Sequence, residues 1–416
     1  MSGASGQRIS APGSLGRDLA LAGGALLVLL VLPLIFPSKV LLDYIIRVAA
    51  FGIFATSLNM LVGFGGMVSF GHGMFFGGGA YAFGLMMQKL GVSIPVAFAG
   101  GMVYCALLAL VVGAICIRLK ETFFSFLTLA FQMLLHSIII SWVSLTGGDQ
   151  GLMGGIPRPP FLGINLANQL HLYSFSCVLL VASLLLMRHI LQTPFGYTLR
   201  MVRDNPDRAR FLGIDIARIR LTAFVMAGCF GGVGGILMSL FVSGAYPEFA
   251  YWSTSGEAVF MIMMGGIHLF LGPIVGAAVF MALNDVITRF TEYHGLALGI
   301  TVLIFALVFR RGLTDFVAQL RGGAALVGGA GLRQREFGVD VDKGVERAGL
   351  LDAGQVIARQ FFGGDGACRQ RVGELAQGGH GRCGKGHVGR FGLAGDGCRR
   401  RLAAARRSRW FEGRCS

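Results

Sequence analysis

Charge is what this sequence has least of. Only 14% of its residues are Asp, Glu, Lys or Arg, where a soluble domain carries about 25%. The deficit coincides with apolar runs long enough to cross a bilayer, which makes the chain an integral membrane protein. Acid is scarcer than base, and the net charge is +15, yet the excess does not form a nucleic-acid-binding face. From residue 319 onward 18 Lys/Arg stand against 9 Asp/Glu, which is +9 of the total. The rest sits mostly in one loop and at the ends of apolar runs, following the positive-inside tendency.

Other absences narrow the chemistry. Cys105, Cys116, Cys177 and Cys229 lie singly in apolar segments, and Cys368, Cys383, Cys398 and Cys415 are too far apart for a CxxC metal site, so neither a disulfide framework nor a metal centre is expected. The spans hold no HExxH, no GxSxG and no paired aspartates, which argues against an intramembrane enzyme. No phosphate-binding GxxxxGK[ST] loop occurs in the membrane portion. Gly379 to Lys385 has the glycine and lysine spacing, but Gly386 follows where a Mg²⁺-binding hydroxyl is needed. The chain is therefore expected to need no cofactor and to hydrolyse no ATP itself. A cleavage site is also missing: Arg8 and Arg17 precede an apolar run that ends in PSKV without small-x-small, which reads as a retained first span.

What is present is a succession of spans near 19–36, 40–63, 66–90, 92–117, 122–143, 170–190 and 219–243. Charge parity decides the remainder. Arg8 and Arg17 hold the N-terminus in the cytoplasm, and Arg118 with Lys120 marks a cytoplasmic turn. Arg310 and Arg311 must also be cytoplasmic, which requires three further short crossings, 257–270, 272–288 and 294–309, broken at Leu271-Gly272-Pro273. The expected fold is all-α, a polytopic transmembrane helix bundle of about ten spans with both termini cytoplasmic. A re-entrant pair is the alternative for the short 257–270 segment. The segment 144–167 falls on the far side as an ordered loop. The membrane domain covers 1–318. Residues 319–416, with 23 glycines, form a Gly/Arg-rich tail. It reads either as a disordered basic segment or as a GC-rich gene translated out of frame.

Between two apolar segments lies TPFGYTLRMVRDNPDRARFLGI, 193–214, within a cytoplasmic loop 193–218. Thr193-Pro194 and Asn205-Pro206-Asp207 each supply a cap followed by proline at the first helical position, and Gly213 offers a left-handed stop. Two short helices are expected, 194–204 and 206–212, with Phe195, Leu199 and Val202 sharing a face of the first. Phe211 and Leu212 stand at the exposed end of the second. That is more structure than a linker needs, and a docking site is the reading.

This passage resembles the coupling loop of ABC importer permeases, whose loose pattern is Glu-Ala-Ala, three residues, then Gly. Asp207, Arg208 and Ala209 precede Gly213 at that spacing, with Arg208 in place of a small residue. Together with SLNMLVGFGGMVSFGHGMFFGGGAY (57–81), LTGGDQGLMGGIPRP (145–159) and GGIHLFLGPIVGA (265–277), it is similar, in order, to the membrane permease of branched-chain amino-acid uptake systems, over about residues 19–318. The resemblance implies a non-enzymatic subunit in a bacterial inner membrane. Its implied partners are a second permease, two cytoplasmic ATP-binding subunits and a periplasmic substrate-binding protein in a lipid bilayer, without nucleic acid. The coupling residues it implies are Phe195, Leu199, Asp207, Arg208, Ala209, Phe211, Leu212 and Gly213. Urea or short amides as substrate, or a self-sufficient ion-driven transporter, are the competing readings.

Polar residues within spans are the candidates for a translocation path, because facing lipid is costly for them. They are Asn59, Ser69, His72, Gln132 and His136, the last two sharing a helix face at i and i+4. Asp43 and Arg47, also at i and i+4, are expected to pair with each other. Small-xxx-small spacings at Gly73/Gly77, Gly228/Gly232, Gly231/Gly235 and Gly272/Gly276 predict close helix packing.

Overall fold

Backbone amides with no water to pair with must pair within their own segment, and in this chain they do so as helices. The computed structural model describes residues 15–35, 38–119, 121–152, 155–158, 166–267, 269–290, 295–296 and 299–300. Among them there is no strand. The chain opens with α1 (Leu15–Ile35) and α2 (Lys39–Asn59), and α2 continues as a π-helix, Met60–Phe64. After a turning stretch come α3 (Gly73–Lys89), α4 (Ile94–Cys116), α5 (Glu121–Ser141) and the single turn α6 (Val143–Thr146). Then follow α7 (Gln169–Gln192), the short α8 (Pro194–Asp204) and α9 (Pro206–Phe211), and α10 (Ile216–Val242). A 3₁₀ turn at Pro247–Ala250 leads into α11 (Trp252–Gly265) and α12 (Gly272–Phe290).

Six helical stretches among the described residues are long and apolar enough to cross a membrane: Lys39–Phe64, Ile94–Cys116, Thr122–Ser141, Gln169–Gln192, Ile216–Val242 and Gly272–Phe290. They are unequally placed. The most apolar window of Lys39–Phe64 is 83% buried inside the bundle, against 28% for those of α4, α5 and α12. α2 is thus the axis, with α7, α10, α11 and α12 packed around it, while α10 also packs on α3 and α4. Glycine sets the tightest contacts. A Cβ on Gly79 would lie 2.7–2.8 Å from the backbone of Gly232, and one on Gly235 or Gly276 would run into the carbonyl of Phe76 or Met261. Of the predicted spacings, Gly231/Gly235 falls on the α3–α10 crossing, Gly228/Gly232 on α10 against α3 and α4, and Gly272/Gly276 on α11–α12, whereas Gly73 and Gly77 face Gln132, Ser255 and Ala250.

Three expectations need correction. The third span, expected from 66, starts as helix only at Gly73, because Gly66 takes a φ of +69°, which no helix accommodates. The segment expected at 257–270 is α11, displaced to Trp252–Gly265: the polar run Trp252-Ser-Thr-Ser-Gly-Glu257 is its first turns, and Gly266 at φ +105° ends it. Asp43 and Arg47 do not pair. Arg47 makes a two-pronged ion pair with Asp285 of α12 (2.8 and 2.6 Å), and Asp43 instead accepts from Gln169 Nε2 at 2.6 Å. A partner on the neighbouring helix meets both guanidinium prongs, which a carboxylate one turn away on the same helix does not. Of the last expected span, only 295–296 and 299–300 are described. Arg310, Arg311 and the tail lie outside the described residues.

The two ends of the bundle are distinct. At one, the α11–α12 turn meets the π-helix and α8: a Cβ on Gly63 would lie 2.9 Å from the Ile267 carbonyl, and the Gly63 carbonyl accepts from Arg203 Nη1. At the other, beyond the 27-residue α10, the 148–158 segment is laced to 243–245. Leu152 N donates to Ala245 O and Ile156 N to Ser243 O, both at 2.9 Å, and the Arg158 guanidinium reaches Phe241 O and Ser243 Oγ. α11 therefore runs between the two ends.

Candidate functional site

At the α8 end the local sequence folds much as its caps require. Asn205 Oδ1 accepts from Arg208 N at 2.9 Å, Pro194 and Pro206 open their helices, and Gly213 adopts φ +79°. Thr193 is not a side-chain cap; its hydroxyl donates to the Ile190 carbonyl at 2.6 Å. The eight predicted coupling residues divide by burial. Leu199 and Ala209 are fully buried, and Leu199 joins Phe64, Met67 and Phe224 in the core with Phe195 packed at its edge. Phe211 is 92% exposed and Leu212 65%, and Asp207, Arg208 and Gly213 are exposed beside them. One face anchors the pair of helices and the other presents an apolar knob ringed by charge. The Arg200 guanidinium lies over the rings of Phe64 (5.2 Å) and Tyr197 (5.4 Å), and its loss of water on burial lowers its pKa.

Inside the bundle, a polar network runs from α2 to α11 through the start of α3. Ser57 Oγ donates to the Phe54 carbonyl at 2.7 Å and lies 2.8 Å from His72 Nε2. With that hydroxyl proton committed, Nε2 is the donor and Nδ1 a bare acceptor, and Nδ1 has no partner. The next residue, Gly73, donates its N–H to Ser255 Oγ at 2.7 Å. Ser255 in turn donates to Gln132 Oε1 at 2.7 Å, and Gln132 Nε2 donates to Tyr251 O at 2.6 Å and Ala250 O at 3.2 Å. His136, one turn along α5, lies 3.1 Å from Pro247 O through Nδ1 and 4.8 Å from the Tyr251 ring.

The five predicted path residues therefore fall into two kinds. Gln132 and His136 are engaged in holding the 247–255 segment. Asn59, Ser69 and His72 are 1% exposed or less, and each carries buried polar atoms with no partner: both amide atoms of Asn59, Ser69 Oγ and His72 Nδ1. Each such group costs about 1–3 kcal/mol while unpaired. Buried polar groups are nearly always paired, so these unpaired atoms are exceptions that packing alone does not account for.

Beyond Gln132, at the end away from α8, lies a cavity of about 920 Å³. His136, Asp149, Glu248 and Glu257 line it with Phe51, Tyr246, Phe249 and Tyr251, and among the described residues that line it there is no lysine or arginine. Of this group, reasoning from sequence selected only His136 as a candidate. The acids stand singly, Asp149 on a 3₁₀ turn at Gly148–Gln150, Glu248 on the 3₁₀ turn at Pro247–Ala250 and Glu257 in the first turns of α11. No spacing rule would have joined them. Among the described residues no group of three or more His, Cys, Asp or Glu could hold a metal ion.

Comparison with known proteins places the chain among transport-system permeases. Residues 40–309 match the family described as branched-chain amino acid transport system / permease component. The high-affinity branched-chain amino acid transport system permease protein LivM of Escherichia coli K12 is 24% identical over 329 residues, covering 72% of this chain and 77% of that protein. LivM of Salmonella typhimurium is 24% identical over 311 residues, covering 68% and 73%. A probable LivM of Methanocaldococcus jannaschii is 26% identical over 225 residues, covering 45% and 64%. No solved structure matches.

Proposed function

Because the chain belongs to the family of permease components of branched-chain amino acid transport systems, we propose that it is one of two membrane subunits of an ATP-driven importer for branched-chain or related amino acids. In this reading the chain spans the inner membrane about ten times, with α11 as a full crossing and both termini in the cytoplasm. Domain 1–318 carries transport. Two separate ATP-binding subunits dock on α8 and α9, a second permease lies alongside, and a periplasmic binding protein delivers substrate at the opposite end. The single observation that carries the docking reading is the knob of Phe211 and Leu212. These two large apolar side chains stand out of a capped, core-anchored pair of helices, where an unpartnered subunit would gain nothing from them.

The substrate path begins at the acidic, aromatic cavity and follows the network past Gln132 to His72, Ser69 and Asn59. The cavity suits an amino acid with an apolar side chain, offering carboxylates for an ammonium group and rings for the rest. The test is purification from native membranes in mild detergent, with mass spectrometry of what is retained. An ATP-binding subunit and a second permease are expected with the wild-type chain and lost with Asp207→Arg or Gly213→Val. A chain that purifies alone and still transports under an ion gradient would establish the ion-driven reading instead.

A further inference from the structure

The inner face of α8 does not rest on its sequence neighbours alone; it grips the π-helical end of α2 at three successive points. Leu199 is fully buried against this segment, with its Cδ1 3.6 Å from where a Cβ on Gly65 would stand. The Arg200 guanidinium covers the Phe64 ring at 5.2 Å. Arg203 reaches furthest: its Nη1 donates to the Gly63 carbonyl, and its stem lies over Gly66, where a Cβ would come within 2.6 Å of its Cγ. The other edge of that guanidinium is held by Asp204 Oδ1, at 3.0 Å from Nε and 2.9 Å from Nη2, so the prong toward Gly63 is aimed rather than free.

The gripped segment departs from the α-helical ladder. Met60–Phe64 is a π-helix, and the Leu61 carbonyl within it accepts from both Gly65 N and Met67 N. π-turns are single-residue insertions that can migrate or resolve into α-helix, changing register by one residue, about 1.5 Å and 100°. Immediately before it stands Asn59, buried with both amide atoms unpaired. Beyond the 65–71 stretch that follows it, next to the start of α3, stands His72, tied to Ser57 by one bond. On its other side the segment is held by α5, through Ser125 Oγ to Val68 O and the close seating of Gly71 on Thr128.

We propose that Arg203 is the positioning residue that delivers movement of α8 and α9 to the π-helix of α2, and through the 63–72 segment to His72 and Asn59. The proposal rests on the reading of α8 and α9 as the ATPase-docking element. A stroke on the knob tilts α8, and Arg203 pulls on the Gly63 carbonyl. The π-turn then changes register, and the unpaired atoms of Asn59 and His72 are re-aimed. Arginine suits the task because one planar group must bond Asp204 and Gly63 at once, which a point charge does less well.

The experiment uses the complete importer in liposomes, with its second permease, ATP-binding subunits and binding protein, and tritiated leucine as the transported probe. Leucine imported per ATP hydrolysed is measured for wild type, Arg203→Gln and Arg203→Lys. Arg203→Gln is expected to hydrolyse ATP within twofold of wild type while importing at most one tenth as much leucine per ATP. Arg203→Lys is expected to recover at least a third of the loss. Hydrogen exchange of amides 60–67 should respond to ATP in wild type and not in Arg203→Gln. An unchanged ratio in Arg203→Gln overturns the proposal. Should that variant fail to assemble, the wild-type exchange decides: a nucleotide response at 206–213 with none at 60–67 also overturns it. ATP-binding subunits that never protect 206–213 would remove the docking reading itself, a distinguishable result.

Discussion

The knob on α9 makes the sharpest quantitative prediction. Phe211 is 92% exposed and Leu212 65%, so nearly all of the first side chain and most of the second remain to be covered by a partner. Full burial of such a side chain is worth about 1.5–3 kcal/mol. Phe211, with most surface to lose, contributes about 2 kcal/mol, and Leu212, already one-third covered, about 1 kcal/mol. The double substitution Phe211→Ala/Leu212→Ala should therefore weaken ATPase-subunit binding by about 3 kcal/mol, roughly two decades in Kd. The assay is titration of the purified ATP-binding subunit against detergent-solubilised permease carrying a fluorophore. Because both residues are exposed, the isolated permease should melt as wild type does, within about 0.5 kcal/mol for each change. Leu199→Ala is the counter-case: it deletes a fully buried side chain from the same pair of helices and should lower the permease's own stability by about 2–5 kcal/mol. Refutation is simple to state. If the double variant binds the ATP-binding subunit as tightly as wild type, the exposed face is not the docking surface.

Other expectations follow from the interior. Gln132→Leu strands the Ser255 hydroxyl and two carbonyls of the 250–251 turn, and should cost about 2–4 kcal/mol in thermal unfolding followed in detergent. Asp285→Asn should cost about 1–2 kcal/mol, since the Arg47 pair is only about a quarter exposed but not dry. Asp43→Asn should cost less in the same melting assay, the reverse of what an i, i+4 pair would give. Gly79→Ala must push α3 off the Gly232 backbone and should cost about 1–3 kcal/mol, whereas Gly24→Ala, with open space around it, should be neutral or slightly stabilising.

Much of this was legible in the chain because its signals are local. The caps at Asn205 and Gly213 specify α8 and α9 to within a residue, since a capping bond spans three positions and nothing distant competes with it. Apolar runs locate α2, α4, α5, α7 and α10 for the same reason. What sequence could not reveal is which face of a helix meets which neighbour. Asp43 lay at the right spacing for Arg47, yet Asp285, 238 positions away, holds it. Leu199 and Phe211 read alike as apolar residues of one docking loop, but one anchors and the other protrudes. The acidic cavity was invisible because Asp149, Glu248 and Glu257 share no period, and the polar start of α11 disguised a helix as a loop.

The shortness of that helix has an electrical consequence. α11 has 14 residues, about 21 Å at 1.5 Å each, while the hydrocarbon layer is about 30 Å thick. The cavity at its Trp252 end holds 920 Å³, room for about thirty waters at roughly 30 Å³ apiece. On the proposed reading of α11 as a full crossing, water in that cavity conducts where hydrocarbon insulates, so the membrane voltage falls across the remaining length rather than the full thickness. Moving a unit charge through that voltage is worth about 2.3 kcal/mol per 100 mV, here compressed into about two-thirds of the usual distance. A zwitterion carries no net charge through that steepened field, and its import should be indifferent to membrane potential. A cationic amino acid admitted to the same cavity would be driven by it.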